Sequence, residues 1–574
     1  MINFYDFEVF MYDWMVVFIN PYIPETRVIV NDPEALVKYW EKHRKEIFVG
    51  YNSRHYDQYI FKGIMLGMNP KEINDWIIID KLPAWQFSDL FSKIQLNNYD
   101  VAKLNDGGLK TLEAYMGNDI KETTVPFDID RSLTEAEMEE TERYCIHDVE
   151  QTIEVFMRRK SDFDAHMALI TTFGLPLRCI SKTQVQLSAM ILNCQKQKHY
   201  DEFDVQFVPT LRVSKYRYVK TWFEFQLSKS KKLGYYTDDK LEFEIAGVPH
   251  VFGWGGVHGA RTQYHAKGLI LHVDVTSYYP SMMIVYNFLT RNSKSPQKFK
   301  EIYDTRVALK KAGKKKEQAP YKIVLNGTYG ISKDPTSTAY DPRQANNICI
   351  NGQLMLIDLI EKLEEIKGFE LIQSNTDGLI IKIPDTDEAF SMTDDICYEW
   401  EQRTGMGLGF DIITEIYQKD VNNYVFMFEN GKIERKGSYV QESSDLKNDL
   451  TIVNTAMVDY MTKKIPIEKT INECDDLRLF QKVVKISAKY LCGWHNGKRL
   501  NDKTFRVFAS NDPNDGFICK QKEAGANVEK FANTPDHCLI FNDAIAEDTR
   551  LDIDKSWYIN LAKKRLLDYG VEVV

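Results

Sequence analysis

Paired cysteines are missing from this sequence. Its nine cysteines, Cys145, Cys179, Cys194, Cys349, Cys397, Cys474, Cys492, Cys519 and Cys538, are scattered, and none forms a C-x-x-C pair. That pattern excludes a zinc or disulfide framework and fits reduced thiols in a cytosol. No apolar run approaches the roughly 20 residues that a membrane-spanning helix needs. The N-terminus, MINFYDFEVFMYDW, lacks a basic segment followed by a clean apolar one, so it does not read as a secretory signal. Positive charge is not in excess either: 73 Lys and Arg against 83 Asp and Glu leave a formal net charge of -10. This speaks against a nucleic-acid partner over the whole surface, but leaves room for a local basic path beside clustered carboxylates. The expectation is a soluble, cytoplasmic monomer without membrane contact.

What is present is apolar and aromatic residue in quantity, 44% and 12% of the chain, which excludes a disordered protein. At 574 residues the chain is too long for one core, and three to five compact units of mixed α/β and α+β type are expected. Residues Phe4, Asp6 and Glu8 alternate with Tyr5, Phe7 and Val9 as in a strand, so two carboxylates share one face. Taken alone, that is also the pattern of a half-solvated edge strand. Strand-like runs follow over 15–19, 27–30 and 46–51, and Asp32-Pro33 supplies a cap and first residue for a helix between them. Asp57 falls in the first turns of another helix. Thr134 and Glu137 have capping-box spacing and predict a helix to about Arg158. On it Tyr144 and Asp148 share a face, apart from the apolar stripe of Cys145, Val149, Ile153 and Phe156.

The apolar run from Gly268 to Val275 reads as a buried strand with Asp274 near its end. Thr276 to Pro280 then turn into a short helix with Pro280 in its first turn. A carboxylate beside the open N–H groups of a helix start can hold a divalent metal and the phosphates it bridges, although such an aspartate is more often a cap. Downstream, a helix from Pro296 to about Leu309 carries Arg306 and Lys310, and a second helix is expected to begin near Pro320. On the second, Lys322, Asn326 and Tyr329 line one face. Residues 369–383 read as two strands joined by a tight turn that contains Asp377-Gly378, a pair favoured in hairpins for purely conformational reasons.

These stretches, in this order, resemble the motifs of family B DNA polymerases. Asp6-Phe-Glu8, Asn52-x-x-x-Tyr56-Asp57 and Tyr144-x-x-x-Asp148 resemble the three exonuclease motifs of the DEDDy-type proofreading domain, which is RNase H-like. The resemblance implies that Asp6, Glu8, Asp57 and Asp148 bind two metal ions, that Tyr144 positions the attacking water, and that Asn52 and Tyr56 contact DNA. Asp274-Val-Thr-Ser277-Tyr278-Tyr279-Pro280 resembles motif A, with Tyr278 in place of leucine; Tyr279 would exclude a 2′-hydroxyl, and Ser277 and Tyr278 would adjoin the incoming triphosphate. Lys322-x-x-x-Asn326-Gly327-x-Tyr329 resembles motif B, with Gly327 for serine. It implies nucleotide contacts from Lys322, Asn326 and Tyr329, with Arg306 and Lys310 adding phosphate contacts. Asn375-Thr-Asp377-Gly378 resembles motif C, with Asn375 replacing its first aspartate and Asp377 matching the one that binds metal alongside Asp274.

Gly255 and Gly256, in GWGGVHGA, resemble the Tyr-x-Gly-Gly segment that contacts the template, with Gly253 in the tyrosine position. Tyr424 and Lys436 stand in the region that contacts the primer end. The resemblance implies an exonuclease domain over 1–165, a connecting region and start of palm over 166–265, palm over 266–296, fingers over 297–333, palm again over 334–440, and a thumb over 441–574. It also implies two Mg²⁺ per site, with Mn²⁺ able to substitute, and primer-template DNA, dNTPs and replication factors such as a helicase or primase as partners. Only 48 positions separate Asp274 from Lys322, too few for large insertions, which suggests a compact bacteriophage-type enzyme. An exonuclease with an impaired polymerase site and a non-enzymatic nucleic-acid-binding scaffold are the alternatives.

Overall fold

The computed structural model describes residues 1–23, 26–120 and 122–572, arranged as two compact units. The first comprises Met1–Thr183, Ser443–Ile452 and Cys474–Tyr558; the second comprises Gln184–Glu442, Val453–Glu473 and the chain from Ile559. The segment beyond residue 440 is thus shared between the units. Among the described residues no helix is long and apolar enough to cross a membrane.

The first unit is built on a five-stranded sheet of β1 (Ile2–Val9), β2 (Trp14–Ile19), β3 (Thr26–Val30), β4 (Ile47–Gly50) and β5 (Asn98–Asp100), in the order β3-β2-β1-β4-β5. β1 is therefore central, antiparallel to β2 and parallel to β4. The alternation that also suits a half-solvated edge strand belongs here to a strand covered on both faces. Tyr5, Phe7 and Val9 enter an aromatic core with Phe18, Phe48 and Phe61. On the other face Phe4 meets Phe156 edge-on at 5.1 Å between ring centres. Phe156 belongs to the helix Glu135–Arg158, which starts at the expected capping box of Thr134 and Glu137. Asp32 likewise caps the helix Pro33–His43 by accepting from the Ala35 N–H at 2.9 Å.

Within the same unit, Lys482–Lys485 and Thr504–Ala509 pair in a small sheet, and Val483 packs with Ala114 and Ile120. The buried Arg506 guanidinium donates to the Phe541 carbonyl at 3.0 Å and also to that of Asp543. Arg159 and Asp106 form a buried two-pronged ion pair, with N–O distances of 2.6 and 2.7 Å.

The second unit carries a nine-stranded antiparallel sheet. Its strands are β6 (Leu241–Ile245), β7 (Val248–Phe252), β8 (His258–Ala260), β9 (Tyr264–Val275), β10 (Glu370–Asn375), β11 (Gly378–Lys382), β12 (Leu408–Asp420), β13 (Asn423–Phe428) and β14 (Ile433–Lys436). They lie in the order β14-β13-β12-β9-β11-β10-β8-β7-β6, with β9 between β12 and β11. In β9 Leu271, Val273 and Val275 are buried while His272 and Asp274, on the opposite face, remain partly open. The helix Pro342–Leu363 is buried along nearly its whole length, including Asn347, Asn351 and Asp358. Their side chains serve a strap of irregular backbone: Asn347 and Asn351 accept from the N–H groups of Gln206 and Val208 at 2.8 and 2.9 Å. Asp358 accepts from the N–H of Arg212 at 2.5 Å. Buried backbone without a ladder must find partners elsewhere, and here a helix provides them. The helix expected to begin near Pro320 begins earlier, spanning Lys315–Lys333 with Pro320 inside it. A proline six residues in forgoes one hydrogen bond without ending the helix.

Candidate active sites

Asp6 and Glu8 project from β1 toward the helix Glu135–Arg158, where Asp148 sits. Asp57 is the first residue of the helix Asp57–Met65, and its carboxylate accepts from the Phe7 N–H, between the two strand acids, at 3.2 Å. The fold thus converts three separate stretches into one acidic cluster. Burial, reinforced by the charges of Asp57 and Asp148, pushes the Asp6 and Glu8 carboxyls well above the usual range. Burial likewise raises Asp57 to about 7 and Asp148 to about 6. An ammonium faces these acids: Lys110 Nζ lies 2.9 Å from Asp148 Oδ1 and 4.8 Å from the centre of the Tyr144 ring.

Such a surplus of hard oxygen donors over positive charge suits a divalent cation such as Mg²⁺ or Mn²⁺. Ligand atoms of Asp6, Glu8 and Cys145 come within 4.8 Å of one another. The Cys145 thiol, however, donates to the Asp6 carbonyl at 3.5 Å, and burial among carboxylates keeps it protonated. The oxygen donors are therefore the ligands that fit. Asn52 takes a left-handed φ of 58° in the turn before Asp57. Tyr56 packs on the aromatic core and its hydroxyl donates to Asn74 at 2.8 Å, so its phenol is held inside the unit.

The second site lies at the end of β9. Asp274 pairs across the sheet with Gly378 of β11 and Gly409 of β12. Asp377 immediately precedes Gly378 in the two-residue turn Thr376-Asp377. The Val275 N–H donates to the Asp377 carbonyl at 2.9 Å, so the turn is held against motif A by backbone. Thr376 adopts a φ of 51°, uncommon for a β-branched residue. A β-carbon on Gly256 would come within 2.5 Å of the Thr376 hydroxyl, which requires glycine at that point.

After β9, Ser277 turns the chain at a φ of 50° into the helix Tyr278–Val285. The cavity beside it, about 470 Å³, is lined by Asp274, Ser277, Tyr279, Arg306, Lys310, Lys322, Asn326 and Asp377, among others. Arg306 donates to the Ser277 hydroxyl at 2.5 Å. The Tyr279 and Tyr329 rings meet at 4.6 Å, and Tyr278 is buried with its hydroxyl on the Gly352 carbonyl at 2.7 Å. Burial first, then Asp377, raises Asp274 to about 6, while Lys310 opposes the shift. Burial also raises Asp377, with His272 and Lys436 opposing.

Most expected residues of motifs A, B and C line this one cavity. Tyr424 is instead 7% exposed, stacked on Phe426 at 3.9 Å. Lys436 faces it across β13 and β14, 5.7 Å over its ring. Asn375 pairs with His258 of β8 across the sheet. Sequence reasoning passed over Lys110, Glu113 and His258. The i,i+3 spacing of Lys110 and Glu113 was a signal for a shared helix face, but nothing local aimed that face at Asp148.

No protein-family model matches the chain, and no curated protein matches it. Among solved structures, the family B DNA polymerase from the hyperthermophilic archaeon Pyrobaculum calidifontis is similar at 13% identity and a TM-score of 0.42. That likeness covers 100% of this chain and 78% of the archaeal one.

Proposed function

We propose that the chain is a template-directed DNA polymerase of the family B type with a 3′–5′ proofreading exonuclease, acting on primer-template DNA and dNTPs. The observation that carries the reading is the cavity at the end of β9, where residues from three distant motifs meet and the carboxylates of Asp274 and Asp377 share the lining with Arg306, Lys310 and Lys322. A cavity that combines such cations and acids suits a triphosphate bound at its cations and a primer 3′-hydroxyl at its acids. Asp274 and Asp377 would hold divalent metal ions, which supply activation of the hydroxyl and stabilisation of the leaving pyrophosphate. Lys322, Arg306 and Lys310 orient the phosphates, while the paired rings of Tyr279 and Tyr329 form a wall against the sugar and base.

In the first unit, a central strand carrying Asp6 and Glu8, with the charges of Asp57 and Asp148 acting on both, supports an RNase H-like exonuclease. The compact spacing of motifs A to C supports a bacteriophage-type replicative enzyme. Primer extension with Mg²⁺ and all four dNTPs tests the reading: template-dependent extension is expected, and its absence in folded protein would sink the polymerase assignment. Asn375 places a neutral amide where motif C has a carboxylate, two residues from Asp377, and this favours one second reading, an exonuclease with an impaired polymerase site. Excision of a mispaired primer end without any extension is the result that would select it.

A further inference from the structure

The acidic cluster of the first unit contains its own cation. Lys110, on the helix Leu109–Met116, has a side chain 13% exposed and divides its ammonium between two carboxylates, Asp148 Oδ1 at 2.9 Å and Glu113 Oε2 at 3.1 Å. Glu113 is fully buried, and its Oε2 also faces His147 Nε2 at 3.3 Å. The other Glu113 oxygen, Oε1, is buried and makes no hydrogen bond among the described residues. A buried carboxylate oxygen without a donor is costly, so its presence beside an ammonium calls for a reason.

We infer that Lys110 is an exchangeable internal counter-ion. Without metal it holds the Asp148 carboxylate; when Asp148 turns to a divalent ion, the ammonium moves onto the open Oε1 of Glu113. No hydrogen bond is lost in the exchange, because the bond to Asp148 is replaced by one to Glu113. The helix Leu109–Met116 presents both groups from one face, three residues apart, so the transfer needs only side-chain rotation. Lys110 and Glu113 are positioning residues in this account, Glu113 acting on the metal site through Lys110. The inference rests on the exonuclease reading for its biological meaning, but its test does not require excision.

The test is a double-mutant cycle on Mn²⁺ affinity, read by calorimetry or electron paramagnetic resonance on full-length protein. An Asp274→Asn, Asp377→Asn background removes the ions of the other site. Lys110→Met removes the competing cation and is expected to tighten Mn²⁺ binding. Glu113→Gln removes the acceptor that draws the lysine away and is expected to weaken binding by about tenfold, in the range found for groups that support metal ligands. The decisive arm is the double variant: if Glu113 acts through Lys110, adding Glu113→Gln to Lys110→Met changes affinity by less than about twofold. Additive effects would mean that both residues act only as bulk charge and would overturn the inference, as would unchanged affinity in the single variants. Should Lys110→Met fail to fold, Lys110→Gln completes the cycle with a neutral side chain that can still hydrogen-bond. A cycle that holds while wild-type protein excises no primer end would defeat the exonuclease reading alone.

Discussion

Asp274 stands directly across the β9–β11 ladder from Gly378, the residue that follows Asp377. A β-carbon at position 378 would lie 3.0 Å from the Val273 carbonyl, so glycine lets the two strands close where the carboxylates meet. The pairing register, more than either aspartate, makes the site.

Separation of the two acidic sites is the first expectation. Asp274→Ala should lower primer extension by at least about 10²–10³-fold, the scale for removing one charge-stabilising group from a reaction centre, and leave excision intact. Asp6→Ala should do the reverse. Gel assays of both activities on the folded variants decide it, and loss of both in either one contradicts a two-site enzyme.

Tyr279 is packed between Tyr329 and the backbone at Gly352 and cannot swing aside easily. Tyr279→Ala should relax discrimination against ribonucleotides by at least about tenfold, equivalent to about 1.4 kcal/mol. Single-nucleotide incorporation with dNTP and rNTP pairs measures the ratio; an unchanged ratio removes Tyr279 from sugar selection.

Acidity at the cluster of Asp6, Glu8, Asp57 and Asp148 makes the metal-free protein pH-sensitive. Folding raises Asp57 to about 7 and Asp148 to about 6 from an ordinary value of 3.8. The folded state therefore binds protons more tightly than the unfolded one, and the stability linked to them is complete below about pH 4 and lost as pH rises through 6 to 7. EDTA-treated protein should melt lower at pH 8 than at pH 5.5, and added Mn²⁺ should raise the melting temperature more at pH 8. Asp57→Asn with Asp148→Asn should reduce both dependences, Asp6 and Glu8 supplying what remains; no reduction would show that Asp57 and Asp148 are not among their sources.

The Arg159–Asp106 pair is buried on both sides, with side chains 9% and 8% exposed. Asp106→Asn leaves a guanidinium buried without its counter-charge and should destabilise the first unit by about 3–5 kcal/mol. Denaturant titration followed by a probe in that unit reports the shift. Little change would show that water or a neighbour compensates Arg159.

Gly256 offers a check on the proposed polymerase site from outside the cavity. Gly256→Ala places a methyl against Thr376 and should slow extension while excision continues at its usual rate. Equal loss of both would point to global disruption.

Local features were legible in the chain itself. The capping box of Thr134 and Glu137, the Asp32-Pro33 helix start, the turn after Val275 and the hairpin around Asp377 depend on neighbours a few residues apart, and such interactions are written in spacing. The order of the acidic and basic motifs was equally plain. Tertiary structure alone decided that β1 is a central strand, that Tyr424 is packed in a core, that Asn375 pairs with His258 across the sheet, and that Lys110 and Glu113 stand beside Asp148. Each depends on strand order, register or a contact made across a long loop. Closing such loops is governed by chain entropy and by burial of whole faces, neither of which leaves a period in the sequence. Alternation places two carboxylates on one side of a strand; only the packing of distant helices determines whether that side meets water or an ammonium.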